Sequence, residues 1–192
     1  MERKTEQSVE ARMRALLAEI DYDFSQFTLE GFARWLEERR GRKIVFLPHH
    51  FVRPDVTGAW VADAVHEYVF YETQDAPPVL RVHSQTHEMA HMLCGHSTVQ
   101  IDTEDLILLL SHFVENDGAC EALSLRSVQP IQTDEEELEA EMLACLIQEQ
   151  VLNHSREQEL LKVVSSDVDI AAYLEGLKMN WPVGRRGENV GS

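Results

Sequence analysis

Apolar positions recur at helical spacing along most of this chain, and the departures gather in one stretch. In residues 8–20, Val9, Met13, Leu16, Leu17 and Ile20 share a face and predict an amphipathic helix. A second helix is predicted over 29–40, with Thr28 as N-cap, Leu29, Phe32, Trp35 and Leu36 on its apolar face and Gly41 closing it. The β-branched run Lys43–Pro48 reads as a strand, and Gly58–Glu72 reads as further strand, paired within a small antiparallel sheet. Pro77 and Pro78 end the extended region and open the helix that carries the histidine cluster. Residues 104–116 follow a Thr103 cap and run toward Gly118 as a buried helix. Thr133 and Glu136 stand at capping-box spacing before a helix to Leu152, and a last helical region is expected within 155–178, with a break near Ser165–Ser166. The expected class is α+β: a helix-rich domain with a small antiparallel sheet.

Composition narrows the setting. The length of 192 residues suits one domain, expected over 1–183, and the tail 184–192 has no apolar anchor and is expected to be disordered. No run of eighteen apolar residues predicts a membrane span, and the polar start MERKTEQSVE lacks the apolar segment of a secretory signal. Cys94, Cys120 and Cys145 are odd in number and widely spaced, which suits a cytoplasmic protein and opposes a disulfide framework. The formal charge of −17 opposes direct contact with nucleic acid and suits a basic protein partner. The one dense basic run, Glu37–Lys43, reads as a helix C-terminus whose cations face the helix dipole.

Candidate chemistry lies in Val82–His96, VHSQTHEMAHMLCGH. His87-Glu88-Met89-Ala90-His91 is H-E-x-x-H, which places two imidazoles one turn apart on one helix face, within reach of one ion. Glu88 does not coordinate in such an arrangement. It is the general base, while the metal acidifies a water and polarises the scissile carbonyl. The four letters arise by chance in roughly 0.05 of sequences of this composition, so their helical context carries much of the inference. His83, one turn before His87, reads as a solvated or supporting residue, and Cys94 as a small buried hydrophobe. His96 and Gly95 do not fit the metzincin spacing, so a third ligand must come from elsewhere. The acidic run Asp134–Glu141 is a natural source: the helix dipole accounts for its first residues, whereas Glu137 and Glu141 share a face beside Leu138 and Met142. Two histidines, a carboxylate and an open position are the usual catalytic set of zinc.

With these residues in view, HEMAHMLCGH followed by ELEAEMLA resembles the ImmA/IrrE metallopeptidases, zinc-dependent proteins with H-E-x-x-H and a later E-x-E-A-N-x-F-A helix. The resemblance covers about residues 28–152 and implies a zincin-like domain similar to the gluzincins. By it, His87, His91 and Glu137 would hold Zn2+, and Glu88 would be the base. Glu141 stands where the family has Asn, and Leu143 where it has Phe. Glu141 can orient a histidine as Asn does, or compete with Glu137 for the metal. The family implies a narrow endopeptidase acting on a regulatory protein, such as a co-encoded helix-turn-helix repressor. The rival expectation is a zinc-binding module that sequesters its partner without cleaving it. An oxyanion donor besides the metal is expected among Tyr68, Tyr71, His112 and His154.

Overall fold

The apolar spacing of the first third is realised as helix. In a computed structural model, which describes residues 2–51, 56–73, 76–102, 104–105 and 132–166, α1 spans Glu2–Glu19 and buries Val9 and Met13. A single 3-10 turn, Phe24–Gln26, is capped by Asp23, whose Oδ1 accepts from the Ser25 amide at 3.0 Å. Helix α2, Leu29–Arg40, begins as expected: Thr28 Oγ1 accepts from the Gly31 amide at 3.0 Å. It ends at Gly41 with φ 67°, a left-handed conformation that a side chain resists.

Strands β1 (Lys43–His49), β2 (Gly58–Ala62), β3 (His66–Glu72) and β4 (Val99–Gln100) form one sheet in the order β1-β3-β2-β4. The sheet is mixed, which corrects the antiparallel expectation. β2 and β3 form an antiparallel hairpin, whereas β1 pairs with β3 and β4 with β2 in parallel. The physical reason lies in the connection: the chain reverses after β1 but leaves one strand position vacant, and β3 fills it. The hairpin turn is set by Asp63, whose Oδ1 accepts from the amides of Val65 and His66 at 2.6 Å each, while Tyr68 Oη donates to Oδ2 at 2.9 Å.

Alternation along β2 and β3 divides the buried residues between the two faces. Trp60 and Val69 join the main core with α1, α2 and the helix α3 (Pro78–Cys94); Val61, Tyr68 and Phe70 join a smaller cluster with Phe51. Helix α4, Asp134–Ser166, adds Ala140, Leu143, Ala144, Leu146 and Ile147 to the main core. Its capping box is present: the Glu136 amide donates to Thr133 Oγ1 at 3.3 Å, and the Thr133 amide to Glu136 Oε2 at 2.7 Å.

By packing, the chain falls into two compact units, Met1–Val151 and Leu152–Ser192. In the second, the described residues are helical through Ser166, with His154 and Glu157 paired at 3.7 Å. Of the expected helix over 104–116 only Glu104 and Asp105 are described, and both are helical. The expected boundary at 183 and the tail lie outside the described residues. No described helix is long and apolar enough to cross a membrane.

The basic run after α2 has a structural use. Glu67 is fully buried on β3 and accepts from Arg40 Nη2 at 2.8 Å and from Trp60 Nε1 at 2.6 Å, with Arg42 at 3.5 Å. Arg40 Nη1 also donates to the Met92 carbonyl at 2.9 Å, which ties α2 to the last turn of α3. Removing Arg40 takes away the nearer cation and leaves the buried carboxylate with only Arg42 at 3.5 Å and the Trp60 N–H. Arg40→Ala is therefore expected to cost about 3 kcal/mol in denaturant unfolding. Lys43→Ala, at a surface pair with Glu37, is expected to stay within about 0.5 kcal/mol, and equal losses in the two variants would contradict this account.

A pH dependence follows from the hairpin turn. Burial works against the Asp63 charge, but the hydrogen bonds from Val65, His66 and Tyr68 outweigh it and hold the carboxyl down to about 2. A depressed carboxyl pKa contributes stability that is present above the unfolded value of 3.8 and lost as pH falls toward 2. Asp63→Asn is expected to flatten the acid limb of a stability–pH curve in that window; an unchanged limb would remove Asp63 as its source.

Candidate metal centre

Helix α3 carries an unusual load of buried polar side chains: Ser84, Gln85, Thr86, Glu88 and His91. Pro78 opens it, and Met89, Ala90 and Met92 anchor its apolar back in the core. With that face fixed, the polar face meets α4. The two helices meet in opposite directions: His91 and His87 face Glu137, and His87 and His83 face Glu141.

The sequence-predicted ligands come together. His87 Nε2 lies 3.0 Å from His91 Nε2 and 3.3 Å from Glu137 Oε2, and His91 Nε2 lies 3.7 Å from Glu137 Oε1. Ligands about 2.0–2.1 Å from a tetrahedral ion are separated by roughly 3.3 Å, so the three donor atoms fit a zinc-sized ion. Two imidazoles and one carboxylate are also the right donor chemistry. Exposure is graded across the set: 2% for the His91 side chain, 18% for His87 and 46% for Glu137. One side is therefore open to solvent, as a site that must admit a further ligand requires.

Glu141 takes a different place. Its Oε2 lies 3.2 Å from His87 Nδ1 and 3.1 Å from His83 Nε2. It thus sits behind His87, on the nitrogen that faces away from Glu137, and holds the ring orientation from that side. His83 completes this outer layer, with its Nδ1 3.2 Å from Gln148 Oε1.

Behind His91 runs a longer chain that the motif spacing does not announce. His91 Nδ1 lies 2.8 Å from His96 Nδ1, and His96 Nε2 lies 3.0 Å from Glu139 Oε2. Arg12 from α1 pairs with Glu139 at 2.5 Å. When Glu139 accepts from Nε2–H, neutral His96 accepts at Nδ1 from His91, and His91 Nε2 is left with its lone pair toward Glu137. The detectable signal was Gly95. With φ 74° it ends α3, and the His96 amide then donates back to the His91 carbonyl at 3.0 Å, which brings His96 alongside His91.

The titratable groups of the seam shift one another strongly. His87 is pushed up to about 10: burial opposes its charge, but bonds to Glu137 and Glu141 prevail. Both glutamates are held well below the usual carboxylate range by their histidines. His91 is lowered by burial and keeps the neutral form that a ligand needs. Glu88 is pushed up to about 7 chiefly by burial, with Glu137 adding and His87 opposing. Strand β2 closes against it: a Cβ on Gly58 would stand 2.5 Å from Glu88 Oε1 and 2.6 Å from Ser84 Oγ, so only glycine permits this approach.

Among the expected oxyanion donors, the Tyr68 hydroxyl is spent on Asp63. Tyr71 lies half-buried on β3, His112 falls outside the described residues, and His154 belongs to the second unit. Cys94 is half-buried, with its Sγ 3.7 Å from Met13 Sδ. Comparisons with family models, with curated proteins and with solved structures find no match to this chain.

Outer partners of metal-ligating histidines typically contribute 10–100-fold to affinity. His96→Ala is accordingly expected to weaken zinc binding by about 10–100-fold in a chelator competition. Affinity unchanged by this substitution would show that the bond behind His91 does not tune the site.

Proposed function

We propose that this chain is a zinc-dependent endopeptidase of narrow specificity, a cytoplasmic enzyme with a zincin-like domain of the ImmA/IrrE kind. The observation that supports it best is the convergence of His87, His91 and Glu137 on one point beside the buried carboxylate of Glu88. His87, His91 and Glu137 would hold the ion. When bound, zinc supplies Lewis acidity, which polarises a peptide carbonyl and lowers the pKa of water.

The remaining work falls to the chain's own side chains. Glu88 takes a proton from the attacking water as its oxygen adds to the carbonyl carbon. As the C–N bond breaks, the same carboxyl returns the proton to the leaving amine. A base near neutrality can do both, and burial keeps Glu88 in that range. Glu141 and His96 hold the imidazole rings in register and stay outside the reaction. The proposed substrate is a regulatory protein, such as a helix-turn-helix repressor. The motif resemblance supports this choice, as does the formal charge of −17, which favours a basic partner.

Glu88→Gln changes the base and leaves the ligands in place. In incubations with a candidate repressor read by mass spectrometry, it is expected to retain zinc while cleavage falls by about 10²–10⁴-fold. Cleavage at the wild-type rate by this variant would overturn the mechanism. Partner binding without cleavage by either protein would favour sequestration instead.

A further inference from the structure

One turn along the same seam, a second group of donors gathers outside the ligand set of the first site, with Glu141 shared between the two. His83 lies four residues before His87 on α3, and Cys145 lies four residues after Glu141 on α4, so both continue the faces that carry the first three ligands. His83 Nε2 stands 3.1 Å from Glu141 Oε2, and Cys145 Sγ stands 3.6 Å from Glu141 Oε1. One donor atom from each of the three lies within 4.8 Å of the others.

We propose that His83, Glu141 and Cys145 form a second metal site, suited to zinc or another first-row divalent ion with affinity for thiolate. Imidazole and thiolate exclude magnesium and calcium, which prefer oxygen ligands throughout. The site is also reachable, since Cys145 and Glu141 are exposed while His83 is half-buried. On loading, the Cys145 thiol gives up its proton to solvent, and His83 binds as the neutral imidazole.

A similar group nearby shows what distinguishes a seat for an ion from a hydrogen-bond chain. Cys94, His96 and Glu139 also lie close together, but there Arg12 already supplies the cation at Glu139. Among the described residues, no lysine or arginine pairs with Glu141, whose partners are His83, His87 and Cys145. The second site is also wired to the first. Glu141 can present Oε1 to an ion while Oε2 remains on His87 Nδ1, so occupancy of one site alters the basicity of a ligand in the other.

This assignment goes beyond the catalytic reading and stands without it. Cobalt(II) is a suitable probe, because a thiolate ligand gives a charge-transfer band that imidazole and carboxylate do not. Titration of the metal-free chain is expected to saturate at two equivalents, one of them with the thiolate band. Cys145→Ser should bind one equivalent and lose the band, and His83→Gln should weaken the band-forming step by at least tenfold. His91→Ala, in contrast, should keep the band and lose the other equivalent, so failure of the first site is told apart from failure of the second. Saturation at one equivalent without the band would overturn the proposal, and so would a band that survives Cys145→Ser.

Discussion

Carboxylate–imidazole pairing across α3 and α4 is the contact on which the polar half of this structure turns. A period of 3.6 residues places His83, His87 and His91 in one row, and Glu137, Glu141 and Cys145 in the row opposite. Such rows cannot come together unless their charge is balanced, because an unpaired ion away from water costs several kcal/mol. The bonds of His87 to Glu137 and Glu141 favour its charged form against burial and so balance the two carboxylates. An ion held by His87 would displace a proton from the ring, so its affinity would fall as pH falls.

The scaffold makes this pairing narrow. Ala140 and Ala144 lie in the core on α4, beside Leu143 and Ile147. Helix α3 is held at its far end by Arg40, which bonds both its last-turn carbonyl at Met92 and the buried Glu67 of the sheet. From the opposite side, Gly58 of β2 admits Glu88 at a distance that any side chain would forbid. Sheet, helix and seam thus fix one another: displacing β2 moves the base, and displacing α4 moves the third ligand candidate.

Local signals in the sequence transferred well to the structure. Thr28 and Gly41 bound α2 as their residue types demand, and the Thr133–Glu136 capping box opens α4. The helical setting of His87-Glu88-Met89-Ala90-His91 was legible for the same reason, since caps and apolar spacing act within a few residues. Strand order was not legible. Alternation along Lys43–His49 says which side chains face inward, but not that β3 rather than β2 lies alongside. His96 was weighed only as a third ligand at metzincin spacing, and its place behind His91 depends on the turn that Gly95 makes. The sequence also left Glu137 and Glu141 open, because both lie on the right face. Only the stagger of α4 against α3 decides that Glu137 meets the Nε2 atoms and Glu141 the Nδ1 atom of His87.

That stagger also bears on how the two candidate sites relate. A residue that only orients a ligand needs no acidity beyond one hydrogen-bond acceptor, and an amide carbonyl serves for it. A carboxylate at 141 offers a second oxygen, and that oxygen faces Cys145. An asparagine at 141 would keep His87 oriented, yet it would bring no negative charge to Cys145 and His83. On this reading the glutamate serves both rows, and its charge is what joins ion occupancy on the exposed side of the seam to ligand basicity on the buried side.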